Sequence, residues 1–199
     1  SCKLENGNMA VVIRPLTQQM PAWHIIGMPF DQSPKFAASI AVDGNRILIG
    51  SPEEADNQGR AYIYRLKLAA VEFEQSIETQ RPALEPSIDE YRNNRFGQSV
   101  ALKAYKAAIG FGPNIDDAEL FEYDGRSWGP AGRTSFEAGP DQHHGRIMAL
   151  GERTLLIGAP GYEQHGRNSG AIIALDVGPK LKQMTGIYSL ADDQGSSIG

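Results

Sequence analysis

Short apolar runs alternate with polar breaks along this chain, in an order that repeats. Lys35-Phe36-Ala37-Ala38-Ser39-Ile40-Ala41-Val42 is followed by a polar Asp43-Gly44-Asn45-Arg46 and then by Ile47-Leu48-Ile49-Gly50-Ser51-Pro52. The order returns as Arg95-Phe96-Gly97-Gln98-Ser99-Val100-Ala101-Leu102 with Ala107-Ala108-Ile109-Gly110-Phe111-Gly112-Pro113. It returns again as His143-His144-Gly145-Arg146-Ile147-Met148-Ala149-Leu150 with Leu155-Leu156-Ile157-Gly158-Ala159-Pro160. A further start is visible in Gln194-Gly195-Ser196-Ser197-Ile198-Gly199. The anchor positions 36, 96, 144 and 194 lie 60, 48 and 50 residues apart, a spacing that signifies a repeat architecture.

Each copy predicts four strands. The first two are the β-rich runs on either side of the polar break. Asp43-Gly44 favours a tight two-residue turn, because both residues tolerate positive φ, and Gly151 is expected to serve the same turn in the third copy. Lys103-Ala104-Tyr105-Lys106 has no glycine, so its turn is less clearly marked. The second strand ends where Gly and Pro halt the ladder. Third strands are expected at 59–66, 118–123 and 170–175, and fourth strands at 70–74, 126–129 and 181–184. Four short antiparallel strands per roughly 50 residues make a propeller blade, so the expected fold is all-β.

Phe-Gly-x-Ser-Val-Ala, a short hairpin, and an apolar strand ending in Gly-Ala-Pro together resemble the FG-GAP repeat of integrin α-subunits and of many bacterial surface and secreted proteins. Phe96-Gly97 and Gly158-Ala159-Pro160 match as they stand. Phe36-Ala37, His144-Gly145, Gly50-Ser51-Pro52 and Gly110-Phe111-Gly112-Pro113 depart from it. The resemblance covers residues 35–177 and implies a β-propeller that acts as a binding module.

The chain divides into residues 1–34 (an N-terminal segment and the outer half of a blade), blades at 35–94, 95–141 and 142–193, and the start of another at 194–199. Met9–Arg14 suits a third strand and Ala22–Ile26 a fourth, with Trp23 in the role of Trp128. Propellers close with roughly four to eight blades. Three complete blades with partial ones at the ends therefore suggest a piece of a larger ring of about seven blades, or closure between two chains. The connection from Gln75 to Asn94, with Arg81-Pro82 and Glu85-Pro86, is expected to form a surface loop.

With 199 residues, 41% of them hydrophobic, the chain can bury a sizeable core. A net charge of −5 gives no basic footprint for nucleic acid, and no apolar run is long enough to span a membrane. The single cysteine, Cys2, excludes an internal disulfide; so close to the start, it is also a candidate lipid-anchor site. No secretory leader is visible. The resemblance nevertheless implies an extracellular or cell-surface location.

Candidate chemistry is sparse. Integrin-type repeats hold Ca²⁺ in an Asp-rich first hairpin, but the hairpins here carry too few carboxylates, so no cofactor is expected. The loops after the second strands are richer in oxygen ligands. Glu53, Glu54, Asp56 and Asn57, then Asn114, Asp116 and Asp117, and finally Tyr162 and His165 are the candidate ligand-binding positions. Asp56, Asp116, Asp117, His143 and His165 are the candidate metal ligands, although His144 reads as a packing residue at the phenylalanine position. No catalytic motif is present. Tyr62, Tyr64, Phe121 and Tyr123 alternate along third strands, as residues packing between blades do.

These features predict a non-catalytic module that binds a protein or glycan through loops 51–59, 111–118 and 159–169, with 27–34, 76–94 and 137–143 beside them. The alternatives are a structural subunit of an extracellular assembly, completed by other copies or further blades, and a polysaccharide-acting enzyme on the same scaffold.

Overall fold

The computed structural model describes residues 2–3, 9–13, 24–27, 35–67, 70–80, 94–112, 117–134, 147–160, 170–178 and 182–188. Within them, three sheets of four antiparallel strands follow one another. Blade one is β4 (Ser39–Asp43), β5 (Arg46–Ser51), β6 (Arg60–Lys67) and β7 (Ala70–Ile77). Blade two is β8 (Ser99–Lys103), β9 (Lys106–Gly110), β10 (Ala118–Tyr123) and β11 (Trp128–Arg133). Blade three is β12 (Ile147–Leu150), β13 (Thr154–Ala159), β14 (Ala171–Asp176) and β15 (Lys182–Tyr188). Each is a simple meander, and β8 lies beside both β4 and β12. The protein is an all-β chain of propeller blades.

A smaller sheet precedes them: β1 (Cys2–Lys3), β2 (Met9–Ile13) and β3 (His24–Gly27). The sequence predicts only the outer pair, β2 and β3. Cys2 and Lys3 add a third strand by pairing with Ala10 and Met9. Trp23 lies outside the described residues, as do His144, residues 81–93 of the long connection and the segment 189–199.

The blades superpose in register, so equivalent positions can be read from the ladders. Gly50, Gly110 and Gly158 pair with Ser39, Ser99 and Ile147. A backbone N–H from the end of each third strand reaches the first hairpin: Leu66 to the Asn45 carbonyl, Tyr123 to Tyr105 and Val177 to Arg153. Each blade also has a bulge between its third and fourth strands, at Ile63/Tyr64, Leu120/Phe121 and Ala174/Asp176.

The turns differ from expectation. Lys103 pairs with Lys106 across a two-residue turn in which Ala104 takes φ 51°, although no glycine marks it. Asp43 of blade one makes this possible: its carboxylate accepts the Ala104 N–H at 2.7 Å and pairs with Lys103 at 3.0 Å. Asp43 ends β4 opposite Arg46, so the turn residues of blade one are Gly44-Asn45 rather than Asp43-Gly44, with Gly44 at φ 57°, and Gly151 does not share that conformation. Gly151 stands at the place of Asp43 and Lys103, flanking a connection of the same length that its N–H closes on the Thr154 carbonyl, and it is not left-handed.

The Phe-Gly step is the joint between blades one and two. Phe96 is fully buried against Phe111 and Phe121, with ring centroids 5.3 and 6.2 Å away. Its backbone bridges to Gly59, while the Arg95 and Phe96 N–H groups donate to Asn57 and Gln58. Ser39 donates to the Gly97 carbonyl at 2.8 Å. The backbones approach so closely that a Cβ on Gly59 would stand 2.1 Å from the Phe96 carbonyl, and one on Gly50 would stand 1.9 Å from that of Gly97.

Gly59→Ala is therefore expected to cost more than ~3 kcal/mol, adding overpacking to the left-handed penalty of about 1–2 kcal/mol. Gly44 is left-handed too, but a Cβ there meets nothing within 4 Å, so Gly44→Ala should cost only that penalty. Denaturant unfolding of the two variants checks the contrast; equal losses would remove the joint from the account.

Candidate functional site

The connection from β5 to β6 holds four of the sequence-derived positions. Glu54 enters the protein and is 5% exposed. It accepts the Tyr62 hydroxyl at 2.5 and 2.6 Å and Arg60 at 3.0 Å. Glu53 pairs with Lys35 at 2.5 Å and faces Arg95 at 3.7 Å. The chain then makes a single tight turn in which Ala55, Asp56 and Asn57 are all left-handed, with φ of 51°, 53° and 64°. Side chains with a Cβ pay about 1–2 kcal/mol each for this conformation. The buried Glu54 anchor on one side and the Arg95 N–H on the Asn57 carbonyl on the other hold the turn in place. Asp56 is exposed at its tip.

Asp117 lies at the start of β10, mostly covered and paired with Arg133. Glu54, Glu53 and Asp117 thus spend their charge on internal partners, and among the described residues Asp56 is the acidic candidate that is exposed. Asn114, Asp116, His143, Tyr162 and His165 lie outside the described residues. Among the described residues no group of three or more His, Cys, Asp or Glu is placed to hold a metal, and no helix is long and apolar enough to cross a membrane.

The aromatic residues of the third strands are packed between sheets. Tyr62 meets Phe36 at 5.9 Å and Phe121 meets Phe96; Tyr62, Tyr64 and Phe121 are buried. Burial raises both tyrosine pKa values, with the Glu54 charge acting in the same direction; Tyr64 is pushed up to about 12. The Tyr64 hydroxyl has no hydrogen-bond partner.

The sequence did not single out a cavity of about 270 Å³ between blades two and three, at the end of the sheets away from Asp56. Lys106, Leu120, Glu122, Asp124, Ala131 and Leu150 are among the residues that line it. Its counterpart between blades one and two is filled by Arg46 and Glu74. Arg46 donates twice to Glu74, at 2.9 and 3.1 Å, and its guanidinium lies 4.1 Å over the Tyr123 ring and 5.5 Å from that of Trp128. Arg65 donates to the same carboxylate at 2.5 Å. Burial pushes the Glu74 carboxyl up, but the hydrogen bonds from Arg46 and Arg65 outweigh it and hold the carboxyl below its ordinary range. The Gln75 side chain bonds both the N–H and the carbonyl of Trp128, at 2.8 and 2.9 Å.

No protein-family model matches the chain, and no curated protein matches it in sequence. Among solved structures, that of Saccharomyces cerevisiae Sqt1, a WD40 β-propeller protein, is similar with 13% identity and a TM-score of 0.49. The match covers 80% of this chain and 38% of that one, so the chain spans well under half of Sqt1.

The tyrosine shifts set a pH dependence. A tyrosine that ionises less readily when folded contributes stability that is complete below its unfolded value of 10.0 and is lost as pH rises towards the folded one. Stability should fall between pH 10 and about 12, by ~1.4 kcal/mol per pH unit for each such tyrosine. Tyr64→Phe should flatten that slope and cost under ~1 kcal/mol at pH 7, since it deletes an unpartnered hydroxyl. Urea unfolding at pH 7, 10 and 11 measures both effects, and an unchanged slope would remove Tyr64 as its source.

Proposed function

We propose that this chain is a non-catalytic, FG-GAP-like propeller module of a secreted or cell-surface protein. It binds a protein partner on the face formed by the connections between second and third strands. The observation that carries this reading is the β5–β6 turn. Three consecutive left-handed residues with side chains are costly to maintain, and such strain gathers where a backbone must be displayed in a fixed shape. Here a buried carboxylate holds the turn while Asp56 projects from it. A protein partner is favoured over a glycan, because Tyr62, Tyr64 and Phe121 are buried and offer no stacking platform. The test places a photo-crosslinking amino acid at Asp56 and, separately, at exposed Tyr105 on the opposite face, in cells of the source organism. Crosslinked protein adducts from position 56 but not from 105 are expected; adducts only from 105 would reverse the face.

A second reading, assembly through blade edges, has its own support. Leu48 and Ala108 are fully buried by the blade that follows theirs, whereas the equivalent Leu156 is 41% exposed. Ile147 and Ile172 on the same face are 69% and 45% exposed. This face has the form that another blade covers. Leu156→Glu should shift the protein towards monomer in light scattering if copies of the chain associate here; an unchanged mass would leave the face to further blades of one polypeptide.

A further inference from the structure

Two glycines of blade three stand open where their counterparts in blade one are crowded. Gly158 pairs with Ile147 and Ile172 as Gly50 pairs with Ser39 and Ala61. Gly170 and Gly59 each lie two residues before that third-strand partner, and both are left-handed. At the first joint a Cβ on Gly50 would stand 1.9 Å from the Gly97 carbonyl, and one on Gly59 would stand 2.1 Å from that of Phe96. A Cβ on Gly158 would instead meet Ile147 of its own blade at 3.5 Å, and one on Gly170 would meet Pro160 at 3.8 Å. Among the described residues, then, no neighbouring blade comes as close to this pair as Gly97 and Phe96 come to the first. Gly158 is not left-handed either, so its own conformation does not call for glycine.

The apolar positions of the same face tell the same story. Leu48 and Ala61 are buried in one cluster with Val100 of β8. Their counterparts Leu156 and Ile172 are exposed, as is Ile147. β8 lies against β4 and β5, and β12 lies against β8 and β9, so each first strand covers the blade before it. Gln194-Gly195-Ser196-Ser197-Ile198 runs in the order of Phe96-Gly97-Gln98-Ser99-Val100, with glycine second and a β-branched residue fifth. β15 also brings the chain to the right end of the sheet: its last residue, Tyr188, pairs with Ile172, two residues from Gly170. The six residues from Tyr188 to Gln194 can reach roughly 20 Å, against about 14 Å for the width of a four-stranded sheet.

We propose that residues 194–198 dock on this face of blade three as the first strand that covers it. The main chain of Gln194 and Gly195 lies against Gly170 and Gly158, and Ile198 packs over Leu156 and Ile172 as Val100 does over Leu48 and Ala61. Gln194 lacks the ring of Phe96, so the main chain and Ile198 carry the contact. The inference rests on the reading that another blade covers this face, and it names the segment that begins the cover.

NMR of the full chain with labelled Ile and Leu methyl groups is the test. Nuclear Overhauser contacts should join Ile198 to Leu156 or Ile172, and a soluble paramagnetic agent should leave the Leu156 signals sharp. Gly158→Ala should remove the Ile198 contacts and lower the thermal midpoint by several degrees, because its methyl group takes the space of the Gly195 carbonyl. Dispersed methyl signals establish that this variant is folded. A folded Gly158→Ala variant that keeps the Ile198 contacts would overturn the proposal. So would an Ile198 signal at its random-coil position in the unmodified chain. If Leu156 is then still shielded from the agent, another surface covers the face and the broader reading stands; if Leu156 is broadened, both fall. Contacts seen only between separately labelled chains would overturn the proposal in favour of a second copy.

Discussion

Everything in this fold depends on how closely one blade's main chain approaches the next. At the first joint the carbonyls of Phe96 and Gly97 come so near Gly59 and Gly50 that no side chain fits between. This contact brings β8 beside β4 and buries Phe96 at the seam. It also explains why the Phe-Gly step recurs. The phenylalanine supplies apolar area, and the following residue must be left-handed, as Gly97 is at φ 91° and Ala37 at φ 63°. Glycine adopts that conformation freely; alanine does so at a cost that the surrounding blade has to offset.

The strands were legible because their signal is local. Apolar runs of four to six residues, each stopped by Gly or Pro, follow from side-chain burial on a two-faced sheet, and strands lie where those runs do. Turns were harder to read. Ala104 is left-handed only because Asp43, 61 residues away, accepts its N–H, and no local rule contains that bond. Gly151 illustrates the opposite case: a glycine beside a turn need not supply positive φ when it flanks the two central residues, here Glu152 and Arg153. The β1 strand is two residues long, too short for any periodicity to appear.

The candidate site was legible in position but not in role. Glu53, Glu54, Asp56 and Asn57 read as one oxygen-rich loop, equally open to solvent. Folding divides them, sending Glu54 to Tyr62 and Arg60, Glu53 to Lys35 and Arg95, and leaving Asp56 outside. Which carboxylates are used internally depends on partners brought by β6, by the segment before β4 and by the start of blade two. The cavity was invisible for a related reason. It opens where Ala131 and Val177 stand in place of larger side chains, and smallness acquires meaning only when the ladders show what stands at the equivalent place one blade earlier.

That comparison bears on how a repeat fold acquires function. Successive junctions in a propeller solve one packing problem, so each is a control for its neighbour. Arg46 with Glu74, Arg65, Tyr123 and Trp128 is a complete solution in which charge is matched and the ring faces are covered. At the second junction Ala131 stands in place of Glu74 and Glu122 in place of Arg65, so Lys106 keeps an acidic partner while the large fourth-strand side chain is lost. Truncating large buried side chains commonly costs a few kcal/mol unless something else fills the space. In blade two the bulge that aims Glu74 at the groove is retained, although its side chain has shrunk to that of alanine. Only the contents of the joint have changed: the acidic partner of the cation comes from the third strand, as Glu122, where blade one takes it from the fourth, as Glu74.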